Sequence, residues 1–239
     1  MIIQSKQNAK YKAWVKLKQV KGRKATGFFI VEGEHLVEEA IRTRWATVIL
    51  NKEGFTYPSA LEHYSLSADL FDGLCTTVSK DTVLAICKMQ VVETSGEHIL
   101  ICDDIQDPGN LGTMLRTAYS FGFNHVYCSK NCVDVFNDKV VRASQGALFY
   151  LEIKQDFDVL DIQNLKDKGH TVYATGFENS TLMSELDKKQ KLAIIMGNEG
   201  QGVRKEWLNL SDAILRIETT AFNSLNVGVA TGILLHHFR

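Results

Sequence analysis

Disulfide frameworks and zinc ribbons are the first things missing from this chain of 239 residues. Its five cysteines, Cys75, Cys87, Cys102, Cys128 and Cys132, are odd in number and scattered, and no two form a Cys-x-x-Cys pair. That usage fits a reducing compartment and neither a stapled scaffold nor a metal site. No apolar run is long enough to span a bilayer, and no signal-peptide core follows the N-terminus. A soluble cytoplasmic protein with no membrane association and no metal is therefore expected. The phosphate P-loop pattern Gly-x-x-x-x-Gly-Lys-Ser/Thr is absent, and so is the dinucleotide fingerprint Gly-x-Gly-x-x-Gly. There is no internal repeat and no low-complexity tract.

Acid is missing from one stretch only. Lys6, Lys10, Lys12, Lys16, Lys18, Lys21, Arg23 and Lys24 meet no acidic residue before Glu32, although the formal net charge of the whole chain is −1. A solvated helix face gives such a run, and so does a surface for phosphates. Tyr11 and Trp14 stand among the lysines and tilt the reading towards RNA, because rings stack on unpaired bases.

What is present, in a chain 45% apolar, is a repeated alternation of short apolar runs and helical periodicity. Residues 5–20 read as a basic helix. Strands are expected at 28–31, 46–50, 64–66 and 84–92, with helices at 34–41, 58–63 and 68–74. The polar stretch Val92-Glu-Thr-Ser-Gly-Glu97 is the best linker, dividing a domain of residues 1–93 from one of residues 97–239. Beyond it, strands are expected at 99–102, 125–128, 150–153, 171–175, 192–196 and 213–217. Helices are expected from Leu111 to about Gly122 and at 138–144, 157–168, 203–208 and 225–238. Repeated βα units imply a mostly parallel sheet, so the chain reads as α/β with a smaller N-terminal α/β domain.

Three segments carry the chemistry. In the first, the strand at 99–102 runs into Asp107-Pro108-Gly109-Asn110, where Pro fixes φ, Gly permits positive φ and Asn can cap the helix that contains Arg116. Acidic and amide groups thus collect where a strand hands over to a helix, the usual ligand edge of an α/β sheet. In the second, Leu192–Met196 enters Gly197-Asn-Glu-Gly-Gln-Gly202, whose glycines let backbone approach a ligand closely. In the third, Asn223 or Ser224 can cap a terminal helix with Val229, Ile233 and Leu234 on its apolar face. Gly228 and Gly232 lie one turn apart there and admit a close neighbour.

Taken in order, Asn110-Leu-Gly-x-x-x-Arg116-Thr-Ala, Met196-Gly-Asn-Glu-Gly-x-Gly202 and Ser224-Leu-Asn-Val resemble the three motifs of the SpoU family of SPOUT-class RNA ribose 2′-O-methyltransferases. Arg142-Ala-Ser-Gln-Gly-Ala147 is similar to that family as well. Phe29-Ile-Val-Glu-Gly33 resembles the RNA substrate-binding domain many members carry. Two departures, Ile217-Glu-Thr219 in place of Ile-Pro-Met and a shortened Ser79–Leu84 turn, touch the pocket edge and bear on substrate choice.

The resemblance implies a C-terminal trefoil knot, a homodimer built across it, for which the Gly228/Gly232 face is a sequence hint, and S-adenosylmethionine as cofactor. It implies a catalytic set of Asn110, Arg116, Glu199, Ser224 and Asn226. It implies cofactor contacts from Thr175, Gly176, Met196, Gly197, Asn198, Gly200, Gly202, Ile217, Leu225 and Asn226. Arg116 stays protonated, so its expected task is to bind the target phosphate and stabilise developing alkoxide charge. Glu199 is expected to order its loop, and Asn and Ser to position the ribose. Ribosomal RNA is favoured over transfer RNA as substrate. An RNA-binding protein without catalysis and a nucleotide-dependent oxidoreductase are the competing classes. The presence of all five motif side chains argues against the first, and the missing fingerprint against the second.

Overall fold

The computed structural model describes residues 2–76, 81–220 and 225–239. Packing divides the chain into two units, Met1–Gln90 with Phe136–Phe149, and Val91–Val135 with Tyr150–Arg239. Residues 136–149 thus lie inside 97–239 in sequence but pack with the N-terminal unit.

The N-terminal unit contains β1 (Ile2–Ile3), α1 (Ala9–Lys16), α2 (Val20–Thr26), β2 (Phe28–Glu32), α3 (Glu34–Arg42), β3 (Ala46–Lys52), β4 (Glu62–Leu66), α4 (Ala68–Leu74) and β5 (Val83–Lys88). The sheet order is β1-β4-β3-β5-β2, with β5 antiparallel to both its neighbours. Tyr11, Trp14 and Leu17 seat the first helix on a core of Leu50, Tyr64, Leu66, Phe71 and Leu84. Three expectations change here. The basic helix is two helices, the first capped by Asn8, whose side chain accepts from Lys10 and Tyr11 N–H. The break is sharp because a Cβ on Gly22 would stand 1.9 Å from the Lys16 carbonyl oxygen, so only glycine lets α2 cross there. Tyr11 and Trp14 are buried and cannot stack on a base. The expected helix at 58–63 is absent: Ser59 Oγ instead accepts the Leu61 N–H, and the chain enters β4 at Glu62.

The motif Arg142–Ala147 also belongs to this unit. Arg142 bonds Thr76 Oγ1 and pairs with Asp138 at 3.1 Å and Glu32 at 3.6 Å, while Glu32 accepts from Thr76 N–H at 3.0 Å. Residues 77–80, which include part of the shortened turn, lie outside the described residues.

The second unit begins with β6 (His98–Cys102), α5 (Pro108–Ser120) and β7 (His125–Ser129). After α6, the Asp138–Ser144 helix of the first unit, come β8 (Glu152–Phe157), α7 (Val159–Asp167), β9 (Thr171–Thr175) and β10 (Thr181–Leu182). The chain ends with β11 (Leu192–Met196), α8 (Lys205–Leu210), β12 (Ala213–Arg216) and α9 (Val227–Phe238). The seven strands are all parallel, in the order β10-β12-β9-β11-β6-β7-β8. Ile99–Cys102 and Leu192–Met196 are buried throughout, as central parallel strands covered on both faces must be. Ile101, Val172, Ala193 and Ile195 pack with Ile162, Leu165 and Trp207 of α7 and α8. On the opposite face Tyr173 meets Phe238 of α9, ring centroids 5.7 Å apart.

Chain order departs from β6 towards β8, then returns to β9 on the other side, with β11 inserted between β9 and β6. The carboxyl edge around β9, β11 and β6 is therefore the switch point where an open α/β sheet leaves a crevice.

Candidate active site

The turn after β6 is capped by Asp107, whose Oδ1 accepts the Asn110 N–H at 2.8 Å, with Pro108 opening the helix. Asn110 is thus inside the first turn of α5 and not its cap. Its side chain is released for other partners: Nδ2 donates to Glu199 Oε1 at 3.0 Å, and Oδ1 accepts from Asn226 Nδ2 at 2.9 Å. Asn226, not Asn223 or Ser224, caps α9, its Oδ1 accepting the N–H of Gly228 at 2.9 Å and of Val229 at 3.3 Å. That cap decides both amide orientations. Asn226 can only donate onward, so Asn110 must accept and its own amide must donate to the Glu199 carboxylate. Asp107 N–H adds a longer contact to Glu199, at 3.4 Å.

The glycine loop closes on itself. Asn198 N–H donates to the Gly202 carbonyl at 3.1 Å and Gly202 N–H returns to Asn198 at 2.9 Å. Inside the ring Asn198 Oδ1 accepts from Gly200 and Gln201 N–H, and its Nδ2 donates to the Asp104 carbonyl at 2.8 Å. A Cβ on Gly197 would lie 2.2 Å from Val203 N and 2.3 Å from Gly202 C, so this glycine is demanded by the loop's own backbone and not by ligand space. Asp103 and Arg204, which the sequence reading passed over, hold the loop's exit. Arg204 donates from Nε to Asp103 Oδ1 at 2.7 Å and from its backbone to Oδ2 at 2.9 Å, and stacks over Trp207. Asp103 is fully buried, and its own N–H bonds the Met196 carbonyl at the end of β11. Burial pushes its carboxyl up, against the opposing pull of Arg204. An acid directly after an apolar strand was the available signal for this pair.

Between the loop and α9 lies a cavity of about 490 Å³. Thr175, Gly176, Met196, Gly197, Asn198, Gly200, Gly202, Ile217 and Leu225 line it, and so does Glu199. Gly176 sits tightly, since a Cβ there would be 2.8 Å from Ile214 Cγ2. Leu208, Ile214, Val227 and Leu234 complete an apolar wall, while Phe177, Glu178 and Thr219 join it from loop positions with no periodic signal. Asn110 and Asn226 stand beside the cavity and not in its lining, joined to it through Glu199.

Two expected site residues stand apart from this group. Arg116 is exposed on α5, and its guanidinium has no partner among the described residues. Six residues beyond Asn110, it points roughly 120° around the helix from it. Ser224 lies outside the described residues. The glycine face of α9 has its neighbour within the chain: a Cβ on Gly228 would meet Thr113 Cγ2 of α5 at 3.1 Å, so close packing there is no sign of a second copy. Val229, expected on the apolar face, is 53% exposed, and Val227, Thr231, Leu234, Leu235 and Phe238 form the buried stripe. Among the described residues no helix is long and apolar enough to cross a membrane.

A parallel sheet with a closed glycine loop, a cavity and a carboxylate at its switch point defines an α/β enzyme with a small-ligand site. Residues 97–236 match the SpoU rRNA Methylase family, and residues 8–90 match the MRM3-like substrate binding domain. The chain belongs to the SpoU rRNA methylase family. It is 37% identical to the 23S rRNA (guanosine(2553)-2′-O)-methyltransferase RlmP of Bacillus subtilis (strain 168), over 99% of this chain and 98% of that protein. The crystal structure of an rRNA methyltransferase from Sinorhizobium meliloti matches with a TM-score of 0.89 at 26% identity, covering 100% of this chain and 97% of that one. An AdoMet-bound rRNA methyltransferase structure from the same organism matches with a TM-score of 0.88 at 26% identity and the same coverage.

Proposed function

We propose that the protein transfers a methyl group from S-adenosylmethionine to a ribose 2′-hydroxyl of ribosomal RNA, in the cytoplasm, as a homodimer with a knotted C-terminal segment. One observation carries the reading: Glu199 stands in the cavity wall and also ends the Asn226–Asn110–Glu199 chain. A pocket for a small ligand and a pair of oriented amides are thereby placed side by side.

The cavity fits the cofactor. Its apolar wall of Leu208, Ile214 and Leu234 suits a flat heterocycle, and the loop at 197–202 offers backbone polar groups to a charged tail. When bound, the cofactor supplies a methyl group already activated on a sulfonium. The chain then has to align, exclude water and hold the acceptor. Leu225, Phe177 and the loop line the cavity and would exclude water from a bound ligand. Asn110 and Asn226 hold the ribose, a task the family resemblance gives to Ser224 as well. Glu199 fixes the Asn110 amide and the loop. Arg116, exposed on α5 and outside the lining of its own cavity, serves the partner subunit's site by binding the target phosphate and countering alkoxide charge. Membership of the family and the name of the Bacillus subtilis relative, aligned over nearly all of both chains, support ribosomal RNA as the substrate.

Calorimetric titration with S-adenosylmethionine, NAD and ATP, followed by mapping of 2′-O-methyl sites in rRNA incubated with the protein, tests this. Binding of the sulfonium alone and one new ribose methylation are expected. Methylation on a base, or binding of NAD in its place, overturns it.

A further inference from the structure

From Lys10 to Lys24 the basic N-terminal run sorts into two kinds of cation. Lys10 bonds Tyr64 Oη and pairs with Glu62 at 3.2 Å, and Lys18 donates to the carbonyls of Gly73 at 2.9 Å and Cys75 at 3.1 Å. Arg23 is buried and donates to the Leu17 carbonyl at 2.9 Å. These three dock the helices on their own unit. Lys12, Lys16, Lys21 and Lys24 are exposed, and their ammonium groups have no hydrogen-bond or ion-pair partner among the described residues. They are also spaced against helix stability. Lys12 and Lys16 are four apart on α1, Lys21 and Lys24 three apart on α2, the spacings at which like charges face each other. Gly22, packed against the Lys16 carbonyl, folds the second pair back on the end of the first. No carboxylate lies within the first 31 residues to relieve them, on a chain whose net charge is −1.

We propose that Lys12, Lys16, Lys21 and Lys24 form a phosphate-contacting surface that holds the sugar–phosphate backbone of the RNA substrate without reading its sequence. This rests on the ribosomal RNA reading above and adds to it which groups make the contact and what they leave out. With Tyr11 and Trp14 buried, the run offers a nucleic acid no exposed ring, and the charged groups it presents are ammonium ions. Ammonium ions on flexible stems act on phosphates as point charges, with neither the fork geometry nor the acceptors that base edges require. The surface therefore contributes affinity that is strongly salt-dependent, and the choice of nucleotide falls to other parts of the protein.

The test compares the full chain with Lys12→Gln/Lys16→Gln/Lys21→Gln/Lys24→Gln and with Lys18→Gln, using an rRNA fragment that the parent protein methylates. RNA affinity is measured by fluorescence anisotropy across a salt series, alongside Tm, cofactor binding and KM for the fragment. Each contacting lysine removed lowers the slope of log K against log salt by about 0.7 to 0.9. The quadruple variant is expected to lose about 3 from that slope, to bind RNA at least about tenfold more weakly at low salt, and to raise KM for RNA. Tm and cofactor binding should hold, and Lys18→Gln should leave the slope alone. An unchanged slope and KM in the quadruple variant overturns the inference, as does an equal per-lysine loss in Lys18→Gln, which would make the effect one of net charge. If the parent protein methylates no rRNA, the substrate reading fails instead, and the two failures are distinct.

Discussion

Asn110 Nδ2 donates to Glu199 Oε1 at 3.0 Å across 89 residues of sequence, joining the first turn of α5 to the loop after β11. The bond has a direction imposed from the far side, because Asn226 occupies the Asn110 carbonyl oxygen.

Replacing Asn110 by Asp keeps the size but sets a carboxylate against Glu199 and removes the side-chain amide proton aimed at it. Asn110→Asp and Asn110→Ala are both expected to lower single-turnover methyl transfer by about a hundredfold, since misplacement by an ångström costs that much. Cofactor affinity should fall far less. Equal losses in rate and in cofactor affinity would make Asn110 a mere prop of the loop.

The glycines of the loop divide by what their Cβ would meet. Gly197→Ala drives a methyl into the backbone at Gly202 and Val203, so Tm should fall by about 4 °C or more, with cofactor binding lost. Gly200→Ala meets nothing closer than Asn198 Oδ1 at 3.7 Å and should leave Tm in place. Thermal melts of the two variants side by side check this, and a reversed order refutes it.

Mixing decides where Arg116 acts. In the proposed homodimer, Arg116→Ala and Asn226→Ala proteins, each expected to be inactive alone, should regain roughly a quarter of full activity after subunit exchange, because half the dimers would be mixed and each would have one intact site. A mixture that exchanges and remains inactive places Arg116 in its own chain's site.

Burial lowers His170 below its ordinary value of 6.5, outweighing the Leu165 carbonyl and Glu97, which raise it. The neutral ring is the form the fold prefers. Its contribution to stability is therefore present above pH 6.5 and is lost as pH falls through the lowered value. Urea midpoints at pH 7.5 and 5.5 should differ less in His170→Gln than in the parent protein. A steeper acid loss in the variant reverses the sign.

How far the chain could be read depended on burial. The ends of β9, β11, α4 and α6 agree with their expected residues, since each is an apolar or well-capped run closed by a turn. The parallel sheet and the glycine loop after β11 followed from the same runs, whereas Thr175, Gly176, Ile217 and Leu225 were named only through the family resemblance. Strand β8 continues through Lys154-Gln-Asp156, polar residues that a strand at the sheet's edge tolerates and that carry no apolar alternation. Strands β1 and β10 are two residues long, set by pairing with distant partners and by nothing local. The caps were assigned to Asn110 and to Asn223 or Ser224, whereas Asp107 and Asn226 hold them. Any short polar residue near a helix start satisfies the rule, and tertiary contacts choose among them. Asp103 was marked by its place directly after an apolar strand, but its pairing with Arg204 spans about a hundred residues and no local pattern names that partner.

Asn226 has two duties that cannot be separated. The side chain that satisfies the first N–H groups of α9 is also the one that orients Asn110. Fraying of the first turn of the last helix therefore disassembles the amide chain while both sheets remain intact. On heating, the site should go silent ahead of global unfolding, so the enzyme carries its own thermal fuse.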